Sequence, residues 1–173
     1  YKRQEGDIGI VCPEPSRIRG IYEAQMARVV ERELGPKAAD LRRRIEAGGA
    51  GAAVWNSLGV LYGRWGLYEQ AREQFVAAAG ETGYVPALVN LGNLALIGER
   101  YDDALLVFRR AHERAPGSKY VLLGLARACY ALERYGEAQG HYERLKAVDA
   151  ELAGRYAFLV VSRKGAVSYT HLT

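Results

Sequence analysis

The most constraining feature of this sequence is one residue pattern that occurs three times in succession between residues 52 and 150. Leu58, Leu91 and Leu125 hold the same place in the three copies, so the shift is first 33 residues and then 34. A period of this length predicts an array of repeated units, each packed on its neighbours. The pattern consists of Trp55, Leu58, Gly59, Tyr62, Gly66, Tyr68, Ala71, Phe75 and Ala78; then Leu88, Leu91, Gly92, Ala95, Tyr101, Ala104, Phe108 and Ala111; then Leu122, Leu125, Ala126, Cys129, Tyr135, Ala138, Tyr142 and Leu145.

Each copy predicts two short antiparallel helices. In the first copy, apolar residues recur at steps of four and three on both sides of a break at Gly66, which is the spacing of two amphipathic helical faces. The small residues Gly59, Gly92 and Ala126 favour a close approach of the paired helices, because a larger side chain would hold them apart. The large side chains that we expect to be buried between successive repeats are Phe75, Phe108 and Tyr142.

This pattern resembles the tetratricopeptide repeat, since about eight positions in each of three successive copies agree with that family. The resemblance implies an all-α fold, namely a right-handed α-solenoid of about three helix pairs with flanking N-terminal and C-terminal helices. It also implies a protein-interaction scaffold rather than an enzyme. The sequence departs from the family pattern at Gly83, where proline is usual, at Ala126 in place of glycine, and at Cys129 in place of an aromatic residue.

Both ends of the chain resemble a translated DNA element. Residues 1–4 (YKRQ) match the codons TAT AAG AGA CAG, which end the transposase recognition sequence widely used to fragment DNA for sequencing. Residues 167–172 (VSYTHL) match the reverse complement of the same element, and Ala166 permits the codon ending that the element requires. We therefore expect residues 1–4 and 167–173 to be adapter translation. The natural segment would be an internal fragment of a longer, bacterial protein.

The segments on either side of the array are predicted to be a linker and further helices. Residues 1–16 comprise the adapter remnant and an irregular linker rich in glycine and proline. Residues 17–51 predict two capping helices separated by Gly35 and Pro36, and residues 151–166 predict either a capping helix or a truncated fourth repeat. The predicted repeats cover residues 52–84, 85–118 and 119–150. The predicted helices cover residues 17–34, 36–47, 52–65, 68–80, 85–98, 101–114, 119–132, 135–147 and 150–162.

The charge and hydropathy of the sequence argue against a nucleic-acid-binding protein and against a membrane-spanning one. The net charge of +4 falls by two when Lys2 and Arg3 are set aside, because the presumed adapter segments contain no acidic residue. The one dense basic run, Arg42–Arg44, spreads around a helix and forms no basic face with interleaved aromatic residues. We therefore expect no nucleic-acid partner. No apolar run approaches the roughly 18 to 20 residues that a membrane span requires.

The residues that could carry chemistry do not form a recognisable catalytic pattern. Cys12 and Cys129 predict neither a disulfide framework nor a metal site, and the glycines at positions 48, 49 and 51 lack the Lys-Ser/Thr pair of a phosphate-binding loop. His112 and His141 are interpreted as exposed polar residues of second helices. The sequence therefore predicts no catalytic residue, no metal and no cofactor, and it leaves the compartment (cytoplasmic or periplasmic) and the oligomeric state open.

The resemblance places a partner-binding surface on the concave side of the array. In this family the first helix of each pair lines the groove, and residues one turn apart point into it. The two asparagines transferred in this way can bind an extended backbone, the two arginines a carboxylate, and Tyr120, Leu123 and Tyr130 an apolar anchor. The transferred positions are Asn56, Val60, Arg64, Val89, Asn93, Leu96, Tyr120, Leu123, Arg127 and Tyr130.

Chaperone-tail binding is not expected, because the carboxylate clamp that the family uses for it is largely missing. Of its five polar positions only Asn90 matches, and Ala53, Ser57, Tyr120 and Gly124 hold the others. Two functions from different classes remain. The first is a non-catalytic scaffold that binds a peptide or a protein surface in the concave groove. The second is an accessory region of a larger bacterial enzyme, for example a protease- or transglutaminase-like one.

Overall fold

The computed structural model describes residues 15–80 and 82–160, and these residues form α-helices joined by short turns without any strand. The presumed adapter segments and most of the predicted linker lie outside the described residues. The helices are α1 (Pro15–Glu46), α2 (Ala52–Arg64), α3 (Tyr68–Ala79), α4 (Val85–Ile97), α5 (Tyr101–Arg114), α6 (Lys119–Ala131), α7 (Tyr135–Val148) and α8 (Ala150–Arg155), followed by a 3₁₀-helix (Ala157–Leu159).

The three predicted helix pairs are confirmed. They are α2 with α3, α4 with α5, and α6 with α7, and each of these six helices begins and ends within one residue of its predicted bounds. Each pair packs on the next through its second helix, so that α3 contacts α4 and α5 contacts α6. This arrangement of neighbouring repeats is an α-solenoid.

The turn between the two helices of each pair has the same backbone conformation in all three repeats. A glycine adopts it in the first repeat and a glutamate in the other two. Gly66 has φ +73°, and the equivalent Glu99 and Glu133 have φ +57° and +59°. In every copy the amide of the following residue donates to a carbonyl five positions earlier, as Arg134 does to Cys129 at 2.8 Å. This is the closing bond of a left-handed helix end. The two glutamates therefore hold a conformation that glycine adopts without strain.

The predicted break at Gly35 and Pro36 is wrong, because α1 continues through both residues as one helix of 32 residues. A proline inside a helix removes one hydrogen bond and costs roughly 3 kcal/mol. Here apolar residues on both sides of the proline pack on the first repeat, and Leu34 and Ala38 are only 5% and 3% exposed. Burial of this face on α2 offsets the lost bond, so the helix does not end.

Only the second half of α1 covers the array. Leu41 and Ile45 pack on the core of the first repeat, and Arg42 donates to the hydroxyl of Tyr62. In the first half, Ile21 and Tyr22 are 52% and 62% exposed. The helix thus covers the apolar edge of the first repeat with about half of its length and extends beyond it with the rest.

The core contains the three predicted aromatic rings, and two of them lie against a glycine of their own helix pair. Phe75, Phe108 and Tyr142 are 3%, 0% and 7% exposed, which confirms that they are buried. A Cβ atom added at Gly59 would lie 2.6 Å from the ring of Phe75, and one added at Gly92 would lie 2.6 Å from that of Phe108. Such distances are shorter than a carbon contact allows. These glycines therefore set how closely the helices of each pair approach.

The last predicted helix, over 150–162, is shorter than expected. As far as residue 160, where the described part of the chain ends, it is α-helical for Ala150–Arg155, and the 3₁₀-helix follows. Asp149 caps its start, because its carboxylate accepts a hydrogen bond from the Leu152 amide at 2.8 Å. Ala153 and Leu159 are buried against the third repeat. The segment therefore turns back onto α6 and α7 instead of extending the array as a straight helix.

Candidate binding groove

The first helices of the three repeats, α2, α4 and α6, lie side by side and carry all ten predicted groove residues. Val60, Arg64 and Tyr120 are exposed, and Leu123 is buried. The partly buried positions are Asn56, Val89, Asn93, Leu96, Arg127 and Tyr130. Nine of the ten positions are therefore at least partly accessible to a partner.

Two hydrogen bonds cross the groove from one repeat to the next. The Asn90 side-chain amide donates to Asn56 Oδ1 at 2.9 Å, and the Arg127 guanidinium donates to Asn93 Oδ1 at 3.3 Å. Both pairs are 34 residues apart and partly buried. Each pair thus fixes two polar side chains on neighbouring first helices, and we call the pairs the two polar rungs.

The polar rungs retain hydrogen-bonding capacity for a ligand. In the first rung the Asn56 amide nitrogen and the Asn90 carbonyl oxygen are not used by the bond between them. In the second rung the Asn93 amide nitrogen and further guanidinium donors of Arg127 remain available to a ligand. Asn90 was absent from the predicted groove residues. Asn90 follows Asn56 by 34 residues, one more than the shift between the first two copies, so the repeat alignment pairs Asn56 with Val89 instead. The match of Asn90 to a polar clamp position of the family was the signal in the sequence.

A pocket of about 240 Å³ lies at the end of the groove formed by the third repeat. Tyr130 is its central aromatic residue, and the ring of Tyr130 meets those of Tyr135 and Phe158 edge to face at centroid distances of 5.5 and 6.0 Å. The pocket is lined by Leu96, Tyr101, Arg127, Tyr130, Ala131, Phe158 and Leu159. The 3₁₀-helix therefore supplies one wall of the pocket, which no pattern in the sequence predicts.

The predicted apolar pocket of Tyr120, Leu123 and Tyr130 is wrong in its membership. Leu123 is 8% exposed because the C-terminal segment packs on it. Tyr120 lies ten residues before Tyr130, about 15 Å along α6, and lines a separate depression with Lys119 and Asp149. Of the three, only Tyr130 faces the pocket. The prediction failed because it took no account of the fold of residues 150–160.

The two histidines are not the exposed polar residues that the sequence predicted. His112 and His141 are partly buried between α5 and α7, with ring centroids 6.3 Å apart in an edge-to-face arrangement. The Arg144 guanidinium lies 3.3 Å from His112 Nε2. Because arginine only donates, this Nε2 accepts, and the proton of a neutral His112 lies on Nδ1. Both Nδ1 atoms are buried without a hydrogen-bond partner among the described residues.

Burial and nearby positive charge hold both histidines neutral. Burial lowers the pKa of His112, and Arg144 lowers it further. Burial also lowers the pKa of His141; His112, Arg144 and Arg109 add to this effect, whereas Glu137 opposes it. The pair lies on second helices, away from the groove. The two rings thus form an uncharged contact between the second and the third repeat.

Residues 15–80 and 82–160 contain neither a membrane span nor a metal site. None of their helices is long and apolar enough to cross a membrane. They also contain no group of three or more histidine, cysteine, aspartate or glutamate side chains that could hold a metal ion. Cys129 is a buried free thiol, and burial raises its pKa.

The fold defines a protein-interaction scaffold of the α-solenoid class. Two models described as tetratricopeptide repeat match the chain, one over residues 95–157 and the other over residues 52–80. Together they span more than half of the 173 residues. The chain therefore belongs to the tetratricopeptide repeat family. Proteins of this fold are generally non-catalytic and bind other proteins.

Solved structures support the same fold. PilF of Pseudomonas aeruginosa is 23% identical, with a TM-score of 0.60, over 71% of this chain. The match covers 58% of the PilF chain. MamA of AMB-1 is 17% identical, with a TM-score of 0.57, over 83% of this chain and 85% of that one. No curated protein sequence matches the chain.

Proposed function

We propose that the concave surface of α2, α4 and α6 binds an extended peptide segment of a partner protein. The two polar rungs carry this proposal. They present fixed amide and guanidinium groups on successive first helices, and these groups keep donors and an acceptor available. An extended peptide backbone offers the complementary carbonyl and amide groups at regular intervals.

Preorganisation supports binding by the polar rungs. Each rung holds two side chains in one arrangement before a ligand arrives, so less side-chain entropy is lost on association. The second rung carries the positive charge of Arg127, which favours a peptide with an acidic group through a charge-assisted hydrogen bond. The apolar residues beside it, Leu96 and Tyr130, provide contact area.

The test is a selection of peptides from a displayed random library on the purified protein, followed by affinity measurements with the selected peptides. Arg127→Glu should weaken binding of acidic peptides by at least about thirtyfold, since it replaces an attractive contact by a repulsive one. Lys146→Glu makes the same charge change at an exposed position of α7, away from the groove, and should leave binding nearly unchanged. Equal affinities of the wild type and Arg127→Glu for all selected peptides would contradict a groove site.

The accessory role in a larger enzyme stays a second prediction. The groove would then hold a segment of that enzyme instead of a separate partner. Extending the reading frame from an independent read of the same genome tests it. A catalytic motif in the neighbouring sequence supports it, and further repeats without such a motif favour an extended scaffold.

A further inference from the structure

The pocket at the third repeat combines aromatic walls with a single charge. Among its seven described lining residues, Arg127 alone carries a charge, and the others are apolar or aromatic. Phe158 is 60% exposed at the rim, although it is a large apolar side chain. A pocket of this composition buries an apolar side chain and rejects a cationic one, because Arg127 would repel it.

Arg127 belongs to two features at once. It lines the pocket, and its guanidinium donates to Asn93 in the second polar rung. Tyr130 lies three residues further along α6, so the two side chains are neighbours on one helix face. A ligand that fills the pocket therefore places its next one or two residues beside Arg127 and the free Asn93 amide, since an extended chain rises about 3.3 Å per residue.

We infer that this pocket recognises a peptide with a large apolar or aromatic side chain and an acidic side chain one or two residues away. This inference rests on the proposed function, because it assigns the anchor of the peptide that the groove binds. The apolar side chain packs between Tyr130, Leu96 and Phe158. The carboxylate accepts hydrogen bonds from Arg127 and from the Asn93 amide nitrogen.

The position of two helix ends favours an acidic side chain over the free end of a chain. Leu96 lies in the last turn of α4, and Tyr130 and Ala131 lie in the last turn of α6. The carbonyl end of a helix carries partial negative charge. When the anchor is the last residue of a chain, its terminal carboxylate would lie close to both helix ends. An acidic side chain reaches Arg127, which is one turn further from the end of α6.

The experiment uses two displayed libraries of random 12-residue peptides on the purified protein. In the first library both peptide ends are fused, and in the second the C-terminus is free. The expected result is enrichment from the first library of an aromatic or large aliphatic residue next to, or one residue away from, aspartate or glutamate. Enrichment only from the free-end library would overturn the inference, because the pocket would then read a chain terminus.

Variants connect the enriched motif to the pocket. Phe158→Ala should weaken the best motif peptide about tenfold in fluorescence polarisation, because it removes the rim wall. Leu106→Ala provides the matched control, since Leu106 is 71% exposed on the second helix α5; it should leave the affinity unchanged. Arg127→Gln should remove the advantage of the acidic residue but keep that of the apolar residue. Circular dichroism of each variant checks that the fold is intact.

Two negative results separate this inference from the proposed function. Selected peptides that lose affinity with Asn90→Ala but not with Phe158→Ala would show a groove that binds peptides without this anchor, and only the inference would fail. A failure of both libraries to enrich any peptide that is sensitive to groove variants would overturn both. Equal losses with Phe158→Ala and Leu106→Ala would also overturn the inference, since the effect would not belong to the pocket.

Discussion

The ring of Phe108 lies against the backbone of Gly124, a residue of the following repeat, with no space for a side chain between them. A Cβ atom added at Gly124 would overlap the ring, and one added at Gly92 would meet it from its own repeat. Phe108 is fully buried as a result. This contact between α5 and α6 joins the second repeat to the third.

Gly124→Ala should therefore destabilise the protein, by about 1 to 3 kcal/mol of overpacking. Gly140→Ala is the matched control, because Gly140 is also helical but nothing lies within 4 Å of an added Cβ. Alanine there should stabilise α7 by roughly 0.5 to 1 kcal/mol through its better helix propensity. Urea unfolding of both variants measures the difference. The two variants should change the free energy of unfolding in opposite directions. A more stable Gly124→Ala variant would disprove the close contact.

Phe108→Ala should lower the free energy of unfolding by about 3 to 5 kcal/mol, through the lost transfer free energy and the cavity that remains. Two exposed positions on the same helix are the comparison. Leu106→Ala and Glu113→Ala should each change stability by less than about 0.5 kcal/mol. Thermal and urea unfolding of the three variants test this. Similar losses in all three would contradict the packing described for Phe108.

Glu133→Gly should stabilise the protein, because Glu133 has φ +59° at the end of α6. The left-handed conformation costs a residue with a side chain roughly 1 to 2 kcal/mol, and glycine loses about half of that gain through its greater freedom when unfolded. A net gain on the order of 0.5 to 1 kcal/mol is expected. Glu143→Gly, at an exposed helical position of α7, should instead cost about 1 kcal/mol.

Stability should fall as the pH falls below about 6.5, because both His112 and His141 have a lowered pKa in the folded state. The unfolded chain then binds more protons than the folded one, so acid favours unfolding. The stabilisation from the two neutral histidines is complete above their unfolded pKa of 6.5. It is lost as the pH falls through their lowered pKa values in the folded state. Urea midpoints at pH 7.5 and 5.5 measure it.

Replacing both histidines by glutamine should make the protein less sensitive to this pH change. Glutamine at position 112 still offers an acceptor to Arg144 but does not titrate in this range. The ion pair of Lys119 and Asp149, 2.8 Å apart, also makes stability depend on pH, but in a different pH range. A hydrogen bond from Lys119 lowers the pKa of Asp149 from 3.8, so its contribution is lost only at more acidic pH. An unchanged pH dependence in the double variant would contradict the role of the histidines.

The sequence by itself determined the repeated unit. Leu58, Leu91 and Leu125 mark one helix pair each, and the six helices of the array begin and end within one residue of prediction. Helix periodicity and close-packing residues are local properties that recur with the repeat, so they can be read from the chain alone. The burial of Phe75, Phe108 and Tyr142 follows from the same periodicity, because each repeat contacts only its neighbours.

The tertiary structure decided what depends on contacts outside the repeated pattern. The continuity of α1 through Pro36 follows from packing on the first repeat, which overrides a local stop signal. Leu123 is buried, and Phe158 lines the pocket, because the segment after Asp149 folds back onto α6 and α7. His112 and His141 lose solvent because their rings meet edge to face across two repeats. Such contacts join residues from different elements, and only the folded chain fixes which of them meet.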